Sequence, residues 1–267
     1  SQFFMNTKMD LIEYADSHCH LNYDGLKDRT DEILRRMKES NVNKALNVCT
    51  TLEESKKVLE MATKYDFIYA SVGVHPDYNE CLEPSVSDLI KRGNHKKIVA
   101  IGETGLDYFR LKGDLDWQRT RFRTHIRAAR ELNKPLIIHT RNSPEDTIQI
   151  LKEENARDVG GVMHCFTESL EVAKKAIDMN FLISISGIVT FKKAEQVQHV
   201  AKNVDLKNLM IETDSPFLAP VPFRGKINEP SYVVHVADKI ADLKNISSKI
   251  VAKHTMDNFL DFISYPK

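Results

Sequence analysis

Two histidines, His18 and His20, lie two residues apart at the end of the apolar stretch 14-YADSHCH-20. In a strand such residues share one face, about 7 Å apart along the backbone, whereas in a helix they point to nearly opposite sides. Two imidazoles on one face can hold a metal ion at about 2.0–2.1 Å, and Cys19 would then face away from it. Taken alone, the pair fits a metal clamp and two ordinary surface or core histidines equally well.

Further acidic and imidazole groups follow other short apolar, β-branched stretches. They are His75, Glu103, His139, His164 and Asp214. If these stretches are parallel strands of a barrel, their carboxyl ends converge on the face where such enzymes build their sites. The remaining histidines fall on helical or loop positions, and we interpret them as solvated or structural. These are His95, His125, His199, His235 and His254.

The candidate ligands are too many for one tetrahedral ion. They are His18, His20, Glu103, His139, His164 and Asp214. This set suits two divalent ions that share a bridging carboxylate, and Glu103 is the natural bridge. Nitrogen and oxygen ligands without thiolate indicate catalytic Zn²⁺, Mn²⁺, Co²⁺ or Mg²⁺, and the histidine content disfavours Mg²⁺ alone. Singly, Glu103 could instead pair with Arg110, and Asp214 could cap the turn at Ser215.

Such a site predicts hydrolysis by an activated water. Two ions lower the pKa of a shared water toward neutrality, and Asp214 would orient that water and take its proton. His75 and Asp107 are expected at the rim, where they would contact a substrate phosphate or protonate a leaving group. The alternative for both is hydrogen bonding to the ligands. The predicted catalytic set is therefore Asp214, Glu103 and His75.

Basic residues follow the predicted strand ends and would form a cationic rim that attracts phosphate. They are Arg110, Lys112, Arg141, Arg224 and Lys226. Phe109 and Phe223 stand beside two of them, either as base-stacking residues or as packing that anchors the loops. The predicted substrate-binding set is Asp107, Arg110, Arg141 and Arg224.

Eight strand-like stretches alternate with helical periodicity along the chain. The predicted strands are 14–20, 44–50, 68–75, 98–105, 136–140, 161–166, 181–189 and 209–213. The predicted helices are 28–40, 116–133, 143–155, 169–180, 192–203, 230–244 and 247–263, and a further helix at 84–93 is the weakest prediction. Ser143 is the expected N-cap before Pro144. This alternation predicts a parallel α/β fold, and the length favours a (β/α)₈ TIM barrel over an open doubly wound sheet. No GxGxxG follows the first strand, which disfavours dinucleotide binding.

Composition narrows the class of protein. The 267 residues carry 38 basic and 38 acidic side chains, so no global positive field indicates binding to long duplexes by charge alone. The four cysteines form no CxxC pair, and Cys19 and Cys165 are predicted to be small buried packing residues, so a reduced cytoplasmic location is expected. No apolar run reaches a membrane span's length, and SQFFMNTKMD lacks the plan of a signal peptide.

We expect one barrel domain over residues 1–267, without a membrane or an obligate protein partner. Residues 1–13 would form an N-terminal extension, and those before Met5 are candidates for vector-derived residues.

The chain resembles the TatD-type metal-dependent deoxyribonucleases, the TatD/YcfH-like hydrolases. Seven motifs carry the resemblance in order: DSHCHLN at 16–22, GVHP at 73–76, IGETGLDY at 101–108, PLIIHTRN at 135–142, GVMHCFTES at 161–169, SISGIVTFK at 184–192 and IETDSPFLAPVPFRGKINEP at 211–230. Together they span nearly everything from residue 14 to about residue 262.

The resemblance implies a TIM-barrel hydrolase of the amidohydrolase-like group, with two divalent ions and phosphodiesterase activity on DNA. Carried over by position, His18, His20, Glu103 and Asp214 would hold one ion. Glu103, His139 and His164 would hold the other. His75 would lie beside the substrate phosphate, and Arg224 would lie in the RGK element that closes the last loop.

Two positions depart from the family pattern. HTRNS replaces the usual HTRDA and places Asn142 beside a ligand, and HCFTE replaces HCFTG and places Glu168 near the rim. Neither removes a ligand, but both put substrate preference in question. Two other functions stay open: a hydrolase of small phosphoesters, amides or lactones, and an inactive barrel that serves as a binding scaffold. Glu103, where relatives of the first kind often carry a carbamylated lysine, favours the nuclease branch.

Overall fold

The structure, a computed structural model, describes residues 11–265. Eight parallel strands form one sheet in the order β1 to β8. They are β1 Tyr14–Cys19, β2 Val42–Asn47, β3 Ile68–Val72, β4 Ile98–Asp107, β5 Leu136–Arg141, β6 Gly161–Met163, β7 Phe181–Ile185 and β8 Leu209–Ile211. The segment after β8 meets β1 through hydrogen bonds from Asp214 N to His18 O (2.8 Å) and from His20 N to Ser215 O (2.9 Å). The predicted (β/α)₈ barrel is confirmed.

Helices connect the strands and cover the outside of the sheet, as parallel pairing requires. Within residues 11–265 they are α1 Thr30–Glu39, α2 Ser55–Lys64, α3 Val86–Gly93, α4 Asp116–Leu132, α5 Pro144–Glu153, α6 Leu170–Asp178, α7 Glu195–Asn203, α8 Val233–Lys244 and α9 Ser248–Ile263. The weakly predicted α3 is real and starts with a capping box between Ser85 and Asp88. The prediction missed α2, because its buried face is only Ser55, Val58 and Ala62, a faint apolar signal.

One local prediction is confirmed in position only, and a second needs correction. Ser143 stands at the N-cap of α5, before Pro144, but its hydroxyl does not cap the helix; it donates to Leu106 O at 3.1 Å and ties β4 to this helix instead. Cys19 is fully buried as expected, whereas Cys165 is only partly buried. The reason is that Cys165 turns the chain after β6 in a left-handed conformation, with φ 43°.

Helix α4 packs along β4, the strand that carries the proposed bridging glutamate. Its apolar face buries Phe122 and Ile126 completely. Truncating a buried phenylalanine to alanine costs about 3–5 kcal/mol, so Phe122 contributes much to the attachment of this helix. The described residues contain no helix that is both long and apolar enough to cross a membrane. Most of the predicted extension, residues 1–10, lies outside the described residues.

Candidate metal centre

All six predicted ligands converge at the carboxyl ends of the strands. His18 lies in β1 and His20 just after it, Glu103 in β4, His139 in β5, His164 directly after β6 and Asp214 three residues after β8. His75 approaches the same point from the loop after β3. The prediction that these side chains meet is therefore correct in geometry.

Glu103 stands at the centre and turns its two oxygens to different partners. Oε1 lies 3.2 Å from His18 Nε2 and 3.8 Å from His20 Nε2. Oε2 faces the other histidines: it lies 3.1 Å from His75 Nε2, 3.3 Å from His139 Nδ1 and 3.0 Å from His164 Nε2. One buried carboxylate thus joins two groups of nitrogen ligands, which is the arrangement of a bridge.

The first group has the dimensions of a metal site. His18 Nε2 and His20 Nε2 are 3.2 Å apart, and Asp214 Oδ1 lies 3.5 Å and 3.2 Å from them. Ligands bound tetrahedrally at about 2.0–2.1 Å lie about 3.3 Å from one another. Nδ1 of His18 is buried without a hydrogen-bond partner among the described residues. The polar contacts of this ring are therefore made by Nε2, which faces Glu103 and Asp214. These donors fit a divalent ion.

Hydrogen bonds behind three of the rings fix which nitrogen faces the centre. His20 Nδ1 lies 3.1 Å from Val48 O, which can only accept, so Nδ1 carries the hydrogen and Nε2 offers its lone pair. His164 Nδ1 is held in the same way by Glu212 Oε2 at 2.8 Å. Bracing of this kind orients ligating histidines and makes them more basic.

In His139 the two ring nitrogens exchange these roles. Its Nε2 lies 2.9 Å from Asp107 Oδ2, so Nδ1 offers the lone pair toward Glu103. The other oxygen of Asp107 accepts from the backbone N–H groups of Phe109 and Arg110, each at 2.9 Å. Asp107 is fully buried. Its contacts therefore match the hydrogen-bonding alternative rather than direct contact with substrate.

His75 presents a hydrogen to the centre instead of a lone pair. Its Nδ1 accepts the backbone N–H of Asp77 at 3.0 Å, so the hydrogen of the neutral ring sits on Nε2, the atom that faces Glu103 Oε2. Oxygen and nitrogen atoms of His75, Glu103 and His139 still lie close enough to be counted as a third candidate ligand group. The backbone contact nevertheless favours a donor role for His75.

The charges of the centre are strongly coupled. Burial raises the pKa of Glu103, but His164, His75 and His18 outweigh it and hold that pKa well below its usual range. Burial lowers the pKa of His139, yet Asp107 and Glu103 raise it to about 9. Burial is likewise outweighed at His164, where Glu212 and Glu103 raise the pKa well above its usual value. Without an ion, then, imidazolium charge balances the carboxylates, and cations compete with protons for the site.

Two buried acids were missed by the sequence analysis. Glu212 braces His164 and also accepts the backbone N–H of Cys165 at 2.8 Å. Asp16 accepts the N–H of His18 at 3.2 Å and of Thr213 at 2.9 Å, and so ties β1 to the segment after β8. Burial raises the pKa of Asp16 to about 8. Their signal was present in the sequence, since each lies two residues before a proposed ligand.

Three arginines of the predicted basic rim each contact another side chain of the protein. Arg110 is 65 % exposed, with Nε 3.6 Å from Asp77 Oδ2. The guanidinium of Arg141 lies 3.9 Å from the ring centre of Phe109, which is itself 51 % exposed. Arg224 stacks in the same way on Phe191, also at 3.9 Å.

Of the two aromatic residues predicted beside the rim, Phe223 packs rather than projects. Its ring stacks on Tyr232 with the ring centres 4.1 Å apart. This is the loop-anchoring alternative. Phe109 remains available for stacking because half of its surface is open.

The two positions that depart from the family pattern contact each other. The Glu168 carboxylate accepts a hydrogen bond from the backbone N–H of Asn142, which has a left-handed φ of 54°. Burial, partly offset by this bond, raises the pKa of Glu168. The pair links the loops that follow His139 and His164 without replacing any ligand.

Comparisons with known proteins find a matching family and similar hydrolases. A sequence model of the family described as TatD related DNase matches residues 15–264. The chain is 45 % identical to the metal-dependent hydrolase YabD of Bacillus subtilis, over 91 % of this chain and 96 % of that protein. It is 44 % identical to the metal-dependent hydrolase YcfH of Escherichia coli K12, over 92 % and 93 %.

Solved structures give the same result. The crystal structure of YjjV, a TatD homologue from Escherichia coli K12, superposes with a TM-score of 0.88 at 26 % identity, covering 95 % of this chain and 98 % of that one. A TatD family hydrolase from Entamoeba histolytica superposes with a TM-score of 0.81 at 23 % identity, covering 96 % and 99 %, and this likeness concerns the fold.

Proposed function

Because the chain belongs to the TatD-related DNase family, we propose that it is a metal-dependent hydrolase that cleaves DNA phosphodiester bonds with a water activated by two divalent ions. The ions would be Mg²⁺, Mn²⁺, Zn²⁺ or Co²⁺. His18, His20, Glu103 and Asp214 would hold one, and Glu103, His139 and His164 the other. A cytoplasmic location remains a prediction that accompanies this proposal.

The observation that carries the proposal is the divided carboxylate of Glu103. Its oxygens face separate groups of histidines, at 3.2 Å from His18 Nε2 on one side and 3.0 Å from His164 Nε2 on the other. A single ion would need only one of these groups. Pairs of ions about 3.5–4 Å apart serve phosphatases, nucleases and aminopeptidases, and glutamate and aspartate oxygens commonly bridge them.

Bound in this way, the ions would lower the pKa of a bound water, so that hydroxide is available at neutral pH, and would draw charge from the attacked phosphate. Asp214 can orient that water and take its proton, since His20 and other histidines outweigh burial and lower the pKa of Asp214, keeping it ionised. His75 can donate its Nε2 hydrogen to a phosphate or leaving-group oxygen, since Nδ1 is held as an acceptor by Asp77 N–H.

The side chains at the rim favour a nucleic acid over a small ester as the substrate. Arg110 and the Arg141–Phe109 stack lie at the strand ends, with the exposed charge of Arg110 for phosphate and the half-exposed ring of Phe109 for a base. These features would be of no use to a small amide or lactone substrate. The test therefore has to compare DNA with such substrates directly.

To test the proposal, chelator-treated protein is reloaded with Mg²⁺ or Mn²⁺ and incubated with end-labelled single-stranded and duplex DNA. A chromogenic phosphodiester and a lactone are run in parallel. We expect DNA cleavage that needs the metal and falls by about 10³-fold or more in Asp214→Asn, since removal of key catalytic groups costs at least this much. The matched control is Asp242→Asn in α8, remote from the centre, which should cleave normally.

Two results would overturn the assignment. Turnover of the small ester or lactone without DNA cleavage would identify a small-molecule hydrolase on the same site. Failure on every substrate, with metal bound, would favour the inactive scaffold.

A further inference from the structure

One face of α4 carries three buried polar side chains in an otherwise apolar surface. Gln118, Arg121 and His125 follow at i, i+3 and i+7, a spacing that places them on one side of a helix. His125 and Gln118 are fully buried, and Arg121 is nearly so. Burying a guanidinium is costly unless its partners are well placed, so this polar stripe calls for a specific explanation.

The stripe holds the loop after β3 by its backbone. His125 Nε2 accepts the N–H of Val74 at 2.9 Å, while its Nδ1 donates to Arg121 O at 2.8 Å. The Arg121 guanidinium donates to the carbonyl oxygens of His75 at 2.8 Å and Tyr78 at 2.5 Å. The backbone on both sides of the His75 side chain is thereby fixed to the helix.

Gln118 extends the contact to a second strand. Its Nε2 lies 3.2 Å from both Pro76 O and Asp107 O, and its Oε1 accepts the N–H of Asp107 at 2.8 Å. Asp107 is the residue that orients His139. One amide therefore couples the loop that carries His75 to the support of a proposed ligand.

On its opposite side, the start of this loop packs closely against β4 at Gly73. A Cβ on Gly73 would lie 2.5 Å from the carbonyl carbon of Gly102, directly before Glu103. The segment is held between β4 on one side and α4 on the other. Any shift of the stripe would consequently move His75 relative to Glu103.

We infer that Gln118, Arg121 and His125 are positioning residues: they set the place of His75 Nε2 and, through Asp107, that of His139 Nδ1. They touch neither substrate nor ion and act through the backbone of residues 74–78. The inference rests on the proposed function for its kinetic consequence, but its structural consequence, the orientation of His75, does not depend on which substrate is cleaved.

The kinetic test uses variants that remove the side-chain hydrogen bonds of one residue at a time with little change of volume. In Gln118→Met and His125→Phe, we expect kcat for DNA to fall about 10–100-fold with KM within about twofold, since small misplacements of reacting groups cost up to about a hundredfold. His125→Gln, whose amide oxygen can replace the acceptor for Val74 N–H, should recover most of the loss. Gln118→Glu keeps an acceptor for Asp107 N–H but loses both donors and turns a buried carboxylate toward Pro76 O and Asp107 O, so it should not recover the loss.

The control removes comparable bonds elsewhere. Asn258 in α9 donates to Leu206 O and Leu209 O, both at 2.8 Å, at the amino end of β8. Asn258→Leu should lower the melting temperature like the stripe variants but leave kcat unchanged. If kcat falls equally in this control, the stripe stabilises the barrel and does nothing more.

A second readout follows the His75 ring directly in the metal-free protein. Long-range ¹H–¹⁵N NMR spectra should assign the hydrogen of His75 to Nε2 in the wild type, and this preference should weaken in Gln118→Met and His125→Phe. An unchanged His75 signal in folded variants would overturn the inference. If the wild type cleaves no DNA, the proposed function fails, while this spectrum still decides the positioning role.

Discussion

Glu212 Oε2 lies 2.8 Å from Nδ1 of His164 and turns the opposite nitrogen of that ring to within 3.0 Å of Glu103 Oε2. The glutamate is fully buried, and its second oxygen is engaged by the backbone of Cys165. A carboxylate in this position fixes the ring and increases its basicity as a ligand. Glu212 therefore supports the candidate metal centre without being one of its proposed ligands.

Replacing Glu212 by alanine should weaken metal binding about 10–100-fold, since loss of such a supporting partner typically costs this much. Glu212→Gln keeps an acceptor for His164 Nδ1 and should lose less. Isothermal titration of the metal-free proteins with Mn²⁺ or Zn²⁺ measures the difference.

A suitable control for that titration is Glu229→Gln. Glu229 is equally buried but pairs with Arg36 at 2.7 Å, away from the centre. Its replacement should lower stability and leave metal affinity unchanged. Equal losses of affinity in both variants would assign the effect to general destabilisation.

Metal binding should expel protons at pH 7. The pKa of His139 is raised to about 9 and that of His164 is raised well above its usual value, so both rings are protonated in the metal-free protein. A cation must displace these protons, and affinity should therefore rise with pH up to about 9 and fall in acid. Titrations in buffers of different ionisation enthalpy count the released protons, and a binding heat that is independent of the buffer would contradict the expectation.

His125 should make the fold sensitive to mild acid. Burial lowers its pKa to about 4, whereas an unfolded histidine titrates near 6.5. Between these values the unfolded chain binds the extra proton, so this contribution to stability is complete above pH 6.5 and is lost as the pH falls toward 4. The contribution is at most about 3 kcal/mol.

Urea unfolding of the metal-free protein at pH 7 and pH 5 measures this loss. His125→Gln, which has no titrating ring, should lose less stability over that interval than the wild type. Equal losses in the two proteins would assign the acid sensitivity to other groups.

Arg141 and Arg224 should contribute charge to DNA binding. Each contact with a single-strand phosphate contributes about 0.7 to the slope of log affinity against log salt. Arg141→Met and Arg224→Met should each flatten the salt dependence of kcat/KM by about this amount. Arg130→Met is the control, because Arg130 pairs with Asp158 at 2.9 Å at the other end of the barrel and should not alter the slope.

The convergence of the candidate ligands could be predicted from the sequence because a parallel barrel brings every strand end to one face. His18, His139 and Asp214 are far apart in the chain, but each follows an apolar, β-branched stretch, and the order of the stretches is enough to bring them together. The same reasoning predicts Glu103 as a bridge, because its strand lies between the strand of His18 and His20 and the strands of His139 and His164.

Supporting residues could not be found in this way. His125 has the sequence context of an ordinary helix residue, and helical periodicity does not reveal that its face meets the loop of His75. Asp107 was placed at the rim because strand-end position says nothing about which way a carboxylate turns. Its role depends on the distance to His139 Nε2, 2.9 Å, which only the folded chain supplies.

The central claim is that Glu103 joins two ions in one centre, and anomalous diffraction from crystals soaked in Mn²⁺ tests it most directly. The account predicts two manganese peaks about 3.5–4 Å apart, one on each side of the Glu103 carboxylate, and loss of at least one of them in Glu103→Ala. A single peak in the wild type, or two peaks that persist unchanged in Glu103→Ala, would contradict it.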